Sequence, residues 1–179
     1  MTNLWITVGL PGSGKSHFVN NEFYELMNLN KANVSVISRD KIRFAILDAN
    51  NSKDYFAYED DVFKSFVDLI CEAIDTPHIT DVVADATHLT ASSRRKLIRA
   101  ISARTTDFKV GFILMLVDFD ICAKRNNKRK GREKVPFKVM VSMAGKTKFP
   151  RDKECTEYDV FGIINVDDHD AAYYAYEGE

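Results

Sequence analysis

The run Gly9-Leu10-Pro11-Gly12-Ser13-Gly14-Lys15-Ser16 is a complete G-x-x-x-x-G-K-[ST] loop, and it follows directly on the apolar stretch Leu4-Trp5-Ile6-Thr7-Val8. Few short patterns constrain a fold so tightly. The loop works only where a buried strand delivers the chain to a glycine-rich turn and a helix begins at once. Residues 4–8 supply that strand, and Ser16-His17-Phe18-Val19 opens the helix. Gly9, Gly12 and Gly14 let backbone N–H groups converge on phosphate oxygens without interference from a Cβ, and Pro11 and Ser13 complete the cradle. Lys15 is expected to bridge the β- and γ-phosphates, and the Ser16 hydroxyl to ligate Mg²⁺. The loop therefore predicts a nucleoside triphosphate site with Mg²⁺.

Downstream, strand-like runs at 34–38, 81–84, 110–117 and 160–166 alternate with segments of helical spacing. Several strands are apolar on both faces, as strands covered by helices on each side must be. Val62, Phe63, Phe66, Val67, Ile70 and Ile74 form one helical stripe, closed by Thr76-Pro77. Leu97, Ile98 and Ile101 form a second, with Thr90 or Ser92 as its N-cap. A third helix is expected from about Phe119 toward Lys128, and a fourth from Pro136 with Phe137, Met140 and Met143 on one side. The prediction is an α/β fold: a five-stranded, mostly parallel sheet flanked by helices on both faces.

At 179 residues the chain fits a single domain, 1–179. Its net charge of −1 excludes an evenly basic surface while leaving room for a local basic channel. Three widely spaced cysteines without a C-x-x-C pair imply free thiols and a cytoplasmic setting. No apolar run reaches the ~18 residues of a membrane span, so no membrane partner is expected. Oligomeric state stays open. His78, His88 and His169 lack metal-ligand spacing and read as structural or surface residues. The last thirteen residues, 167–179, hold five acids and no Lys or Arg, and are expected to form a partly disordered acidic tail.

Three features can carry chemistry beyond the loop. Ser38-Arg39-Asp40 closes the second strand, with Arg43 three residues on, at the sheet edge where doubly wound folds bind ligands. Asp40 fits a base for an attacking hydroxyl beside an arginine for an acceptor anion, or a plain helix cap. Asp85 closes the third strand and fits a metal-anchoring carboxylate, an arginine holder or a turn residue. Finally, seven of the eleven residues 124–134 are Lys or Arg. That stretch fits a solvated helix end, a targeting patch, or a basic lid spanning about 119–148 and hinged near Gly131 and Val135-Pro136.

In combination these motifs resemble the kinase domain of phage-type polynucleotide 5′-hydroxyl kinases over roughly residues 4–145. The carriers are the loop 9–16, Ser-Arg-Asp-Lys-Ile-Arg at 38–43, Asp85 with Leu89 and Arg94-Arg95, and Lys-Arg-Asn-Asn-Lys-Arg at 124–129 running on to Val135-Pro136. The resemblance implies a P-loop kinase fold that transfers the ATP γ-phosphoryl group to 5′-hydroxyl ends of DNA or RNA. It implies Lys15, Asp40 and Arg129 as catalytic residues, Asp40 being the general base. It also implies Arg43 on the acceptor phosphate, Asp85 on the acceptor and lid side, and Arg125 near the adenosine end. The departures are His17 where a small residue is usual, and one extra residue each within 85–89 and near Lys130. The second leaves Arg129 or Arg132 to reach the transferred phosphoryl. The chain stops soon after the fifth expected strand, so a phosphatase module is expected to be absent. The superfamily also offers kinases of a small metabolite, nucleoside or nucleotide sugar, and an acceptor-free ATPase switch is the third reading.

Overall fold

The structure, a computed structural model, describes residues 1–168 and 170–176; His169 and the end of the acidic tail lie outside the described residues. The chain runs β1 (Thr2–Val8), α1 (Lys15–Asn21), α2 (Phe23–Leu26), β2 (Val34–Ser38), α3 (Arg39–Ala49) and α4 (Glu59–Ile74). It continues through β3 (Asp81–Asp85), α5 (Ala91–Ser102), β4 (Phe108–Met115), α6 (Phe119–Asn127), α7 (Phe137–Lys146) and α8 (Asp152–Glu157), and ends on β5 (Gly162–Val166) and β6 (Ala171–Ala175). One sheet holds all the strands in the order β2-β3-β1-β4-β5-β6. The first five are parallel, and β6 returns antiparallel along β5.

The period-2 alternation of β1 splits the core into two layers. Leu4, Ile6 and Val8 face α4 and α5, where Phe66, Ile70, Leu97 and Ile101 bury the stripes read from the sequence. Trp5 faces the other way, onto Phe18, Val19 and Phe23 of α1 and α2 and onto Ile113 and Ile164. Its indole N–H donates to Asp81 Oδ1 at 2.9 Å, so the buried ring leaves no polar atom unpaired. Gly111 sits opposite Trp5 in the neighbouring strand, and a Cβ there would come within 2.7 Å of the indole. Truncating Trp5 to alanine would cost about 3–5 kcal/mol by opening this layer.

Two expectations change in detail. The sheet has six strands, not five, because part of the acidic tail pairs: Tyr174 lies opposite Ile163 and Tyr173 opposite Ile164. The strand expected at 110–117 runs instead from Phe108 to Met115, where Leu116 leaves the ladder and bonds through its amide to Val166 O. The helices begin close to where their stripes predict. Thr90 is the N-cap of α5, in a reciprocal pairing with Ser93.

Parallel pairing sets the strand ends side by side. Ser38 is level with Asp85, and Val8 with Leu114. The glycine-rich loop, Asp40 and Asp85 therefore share the carboxyl edge of the sheet.

Candidate active site

The loop 9–16 bridges β1 and α1, and its conformation depends on glycine at two kinds of position. Gly12 and Gly14 adopt φ of +84° and +96°, which a side chain would strain. Gly12 also lies against α6: a Cβ there would be driven into the Cys122 carbonyl. Above Gly14 the space is open, with Met115 and Arg125 the nearest side chains. Gly9 is closed in by Met115 and Ser13. The sequence assigned all three glycines to phosphate approach; Gly9 and Gly12 also allow close packing of the loop against its neighbours.

Lys15 folds back over the loop. Its ammonium donates to Gly9 O at 3.0 Å and Leu10 O at 2.8 Å. Burial pushes its pKa down to about 8, against the pull of Asp85; Arg129 pushes the same way as burial, and Asp40 opposes it.

The Ser16 hydroxyl donates to Asp85 Oδ2 at 2.7 Å. Burial raises the Asp85 pKa, while the Ser16 hydrogen bond and Lys15 oppose that rise. A hydroxyl and a buried carboxylate at the loop's helix end are the hard oxygen donors that Mg²⁺ takes when phosphates supply further ligands. Among the described residues no cluster of three or more His, Cys, Asp or Glu could hold a metal alone. The pair Ser16 and Asp85 thus fits a nucleotide-borne Mg²⁺.

Asp40 stands in the first turn of α3 and is not tied into it as a cap, since Ser38 is the N-cap. Its carboxylate is 66% exposed and accepts from Arg43 Nη1 at 2.5 Å and from the Tyr55 hydroxyl at 3.2 Å. Arg43 itself is only 8% exposed. Its Nε and Nη2 reach Glu59 Oε1 at 2.8 Å, its Nη1 donates to Tyr55, and its guanidinium lies 4.6 Å from the Tyr55 ring centroid. Glu59 holds Arg39 as well, at 2.9 Å. The sequence cast Arg43 as an acceptor contact; the structure engages it in orienting Asp40.

The segment expected to form a lid comprises α6, a basic loop containing a single 3-10 turn (Gly131–Glu133), and α7. Asn126 is buried and clips the loop's two ends together. Its amide donates to Val135 O at 2.7 Å and accepts from Val135 N at 3.0 Å. The two arginines left open by the sequence part company here. Arg132 forms a two-pronged ion pair with Asp48, at 2.6 and 2.9 Å, and stacks 4.4 Å over Phe44 of α3. Arg129 is exposed and acts electrostatically on Lys15.

Beside the loop, a cleft of about 370 Å³ opens between Ser13, Gly14, His17, Phe18, Met115 and the residues after β5. Arg125 borders it, donating to Asp168 Oδ1 at 2.8 Å. The family resemblance implies the adenosine end of the donor near Arg125.

Arg94, Arg95 and His88 have structural partners. Arg94 is fully buried and forks onto Glu154 at 2.6 and 2.8 Å, joining α5 to α8, while Arg95 pairs with Glu157. His88 is buried, stacks on Phe66 and donates through Nδ1 to Thr7 O at 3.1 Å. His78 is exposed. Cys71, Cys122 and Cys155 are all free and buried, and no helix among the described residues is long and apolar enough to cross a membrane.

A mostly parallel sheet with this loop after β1, an acid after β2 and an acid closing β3 makes an α/β P-loop kinase fold. The chain belongs to the AAA_33 family, described as an AAA domain, whose model matches residues 4–150. Solved structures share the fold at low identity. A fungal RNA kinase superposes with a TM-score of 0.62 at 16% identity, covering 92% of this chain and 74% of that one. Kti12 of Chaetomium thermophilum, in complex with ADP-AlF3, gives 0.64 at 15%, covering 93% and 90%. A sugar kinase from Janibacter sp. HTCC2649 gives 0.59 at 14%, covering 93% and 86%. No curated protein matches the chain.

Sequence reasoning missed Glu59, Tyr55, Asn126 and Asp48. Glu59 opens the run Glu59-Asp60-Asp61, which reads as ordinary acidic bias at a helix N-terminus. Asn126 stands beside Asn127, an exposed amide in the same basic run, so its residue type did not mark it as the buried one.

Proposed function

We propose that the chain is a polynucleotide 5′-hydroxyl kinase, transferring the ATP γ-phosphoryl group to the 5′-OH end of DNA or RNA. The observation that carries this reading is Asp40: an exposed carboxylate, oriented by Arg43 and Tyr55, two residues past the strand end that lies level with Asp85. A carboxylate so placed suits an acceptor hydroxyl rather than water held for simple hydrolysis. The resemblance to phage-type kinases in the order of motifs supports the same acceptor, and a fold relative described as a fungal RNA kinase fits it.

In this reading Asp40 takes the proton as the 5′-oxygen bonds to the γ-phosphorus and the bridging β–γ P–O bond breaks, leaving ADP. Lys15, freed from the Gly9 and Leu10 carbonyls by the phosphates, and Arg129 neutralise charge spreading over the transferred group. Mg²⁺ on Ser16 and Asp85 would screen the phosphate oxygens. Arg125 and the adjoining cleft receive the nucleoside.

Incubation with γ-labelled ATP and 5′-hydroxyl oligonucleotides tests the proposal. Labelled 5′ ends in the wild type, lost in Asp40→Asn with ATP affinity retained, are the expected result. Label passing only to a sugar, nucleoside or other small metabolite would transfer the reading to that alternative.

A further inference from the structure

An aromatic path leads outward from Asp40. The Tyr55 hydroxyl bonds the carboxylate, and the Tyr55 ring meets Phe44 at 6.2 Å and Phe56 at 4.9 Å, both edge to face. Phe56 ends the path with 65% of its surface in solvent. A lone exposed phenylalanine needs no explanation. This one is different because it is joined, ring to ring, to a residue that touches the candidate base.

The platform is also pre-formed. Phe56 N bonds Asp54 Oδ1 at 3.0 Å, Asp54 N bonds Ser52 Oγ at 3.3 Å, and Ala57 N bonds Asp54 O at 3.2 Å, pinning the loop between α3 and α4. Charges of both signs surround it: Asp54 within the loop and Glu59-Asp60-Asp61 at the start of α4, and cations on α3, on the loop itself and on the basic loop. Lys41 and Lys53 are exposed on α3 and on the loop, and Arg132, paired with Asp48, stacks on Phe44 and so joins the basic loop to the aromatic path. Rings interleaved with cations bind single-stranded nucleic acid, since every base has a stackable face and every linkage a charge. A neutral sugar would use the rings and leave the cations idle.

We propose that Phe56, backed by Tyr55, is the stacking platform for the terminal base of a single-stranded 5′-hydroxyl acceptor. This rests on the kinase reading and specifies its substrate as an unpaired nucleic-acid end. Tyr55 holds Asp40 while supporting the base, so one residue couples acceptor binding to alignment of the candidate base.

The test uses 5′-hydroxyl oligonucleotides with 2-aminopurine as the first base. Wild type should quench its fluorescence, Phe56→Trp should keep the quench, and Phe56→Ala should lose it. In Phe56→Ala the KM for the oligonucleotide should rise about tenfold, the scale of one lost base stack, with kcat and the KM for ATP unchanged. An acceptor abasic at its first position should show the same KM with both proteins. Normal transfer with equal KM and equal quenching in Phe56→Ala overturns the platform, as does a neutral sugar acceptor whose KM responds to Phe56→Ala instead. Quenching that depends on Phe56 without any transfer would keep the platform and retire the kinase reading.

Discussion

The Ser16 hydroxyl and the Asp85 carboxylate, 69 residues apart in the chain, meet at 2.7 Å where the glycine-rich loop turns into α1. Asp85 is buried, and Ser16 is the partner that its side chain is seen to bond. A residue that could serve as a turn thus faces the hydroxyl expected to ligate Mg²⁺. Asp85→Asn should fold normally and lose at least tenfold in Mg²⁺-dependent nucleotide affinity. Titration calorimetry with and without Mg²⁺ reads this directly; equal losses in both conditions would break the link to the metal.

Arg129 and Arg132 offer a contrast within one loop. Arg129→Ala should lower kcat by about 10²–10³-fold, as expected when a cation that stabilises a transferring group is removed, and change ATP affinity little. Arg132→Ala, which releases Asp48 and Phe44, should cost less than tenfold. Steady-state kinetics on the two variants decides the assignment, and the reverse order would make Arg132 the lid arginine.

Glu59 ties two arginines together and through Arg43 sets the direction of Asp40. In Glu59→Gln the half-buried carboxylate is replaced by a neutral amide, so the buried Arg43 loses a charged partner. The expected cost is about 1–2 kcal/mol of stability, read as a lower melting temperature. Because Glu59 acts through Asp40, kcat should fall about tenfold while the KM for ATP holds.

His88 makes stability depend on pH. Burial holds its imidazole neutral, with a pKa pushed down to about 3 against 6.5 for a free side chain. The unfolded chain binds the extra proton, so stability is complete above pH 6.5 and declines as pH falls toward 3. The limiting slope is about 1.4 kcal/mol per pH unit. Melting curves between pH 7 and 5 should show a shallower decline in His88→Asn, a replacement suited to the φ of +39° at this position.

Much of this arrangement was legible in the chain. The loop 9–16 and its flanks impose strand, turn and helix, and the stripes at 62–74 and 97–101 mark the helices that cover β1. Asp40 and Asp85 could be placed at the binding edge because strand ends are where such folds bind ligands. What could not be read depends on contacts between distant residues. Arg132 meets Asp48 across 84 residues, Arg94 meets Glu154 across 60, and Arg125 meets Asp168 across 43. No local pattern distinguishes an arginine that will be buried from one that will stay in water. The sixth strand escaped for another reason. Ala171-Ala172-Tyr173-Tyr174-Ala175 has the aromatic content of a strand, but the acids on either side dominate the composition.

The clip made by Asn126 and Val135 has a consequence for how such a protein changes over time. By closing the basic loop on itself, it makes the residues between the two positions a cassette whose ends are fixed by one side chain. Residues can be gained or lost inside the cassette without moving α6 or α7. The reach and charge of its arginines can then change while the loop 9–16 and the strand ends beside it stay as they are.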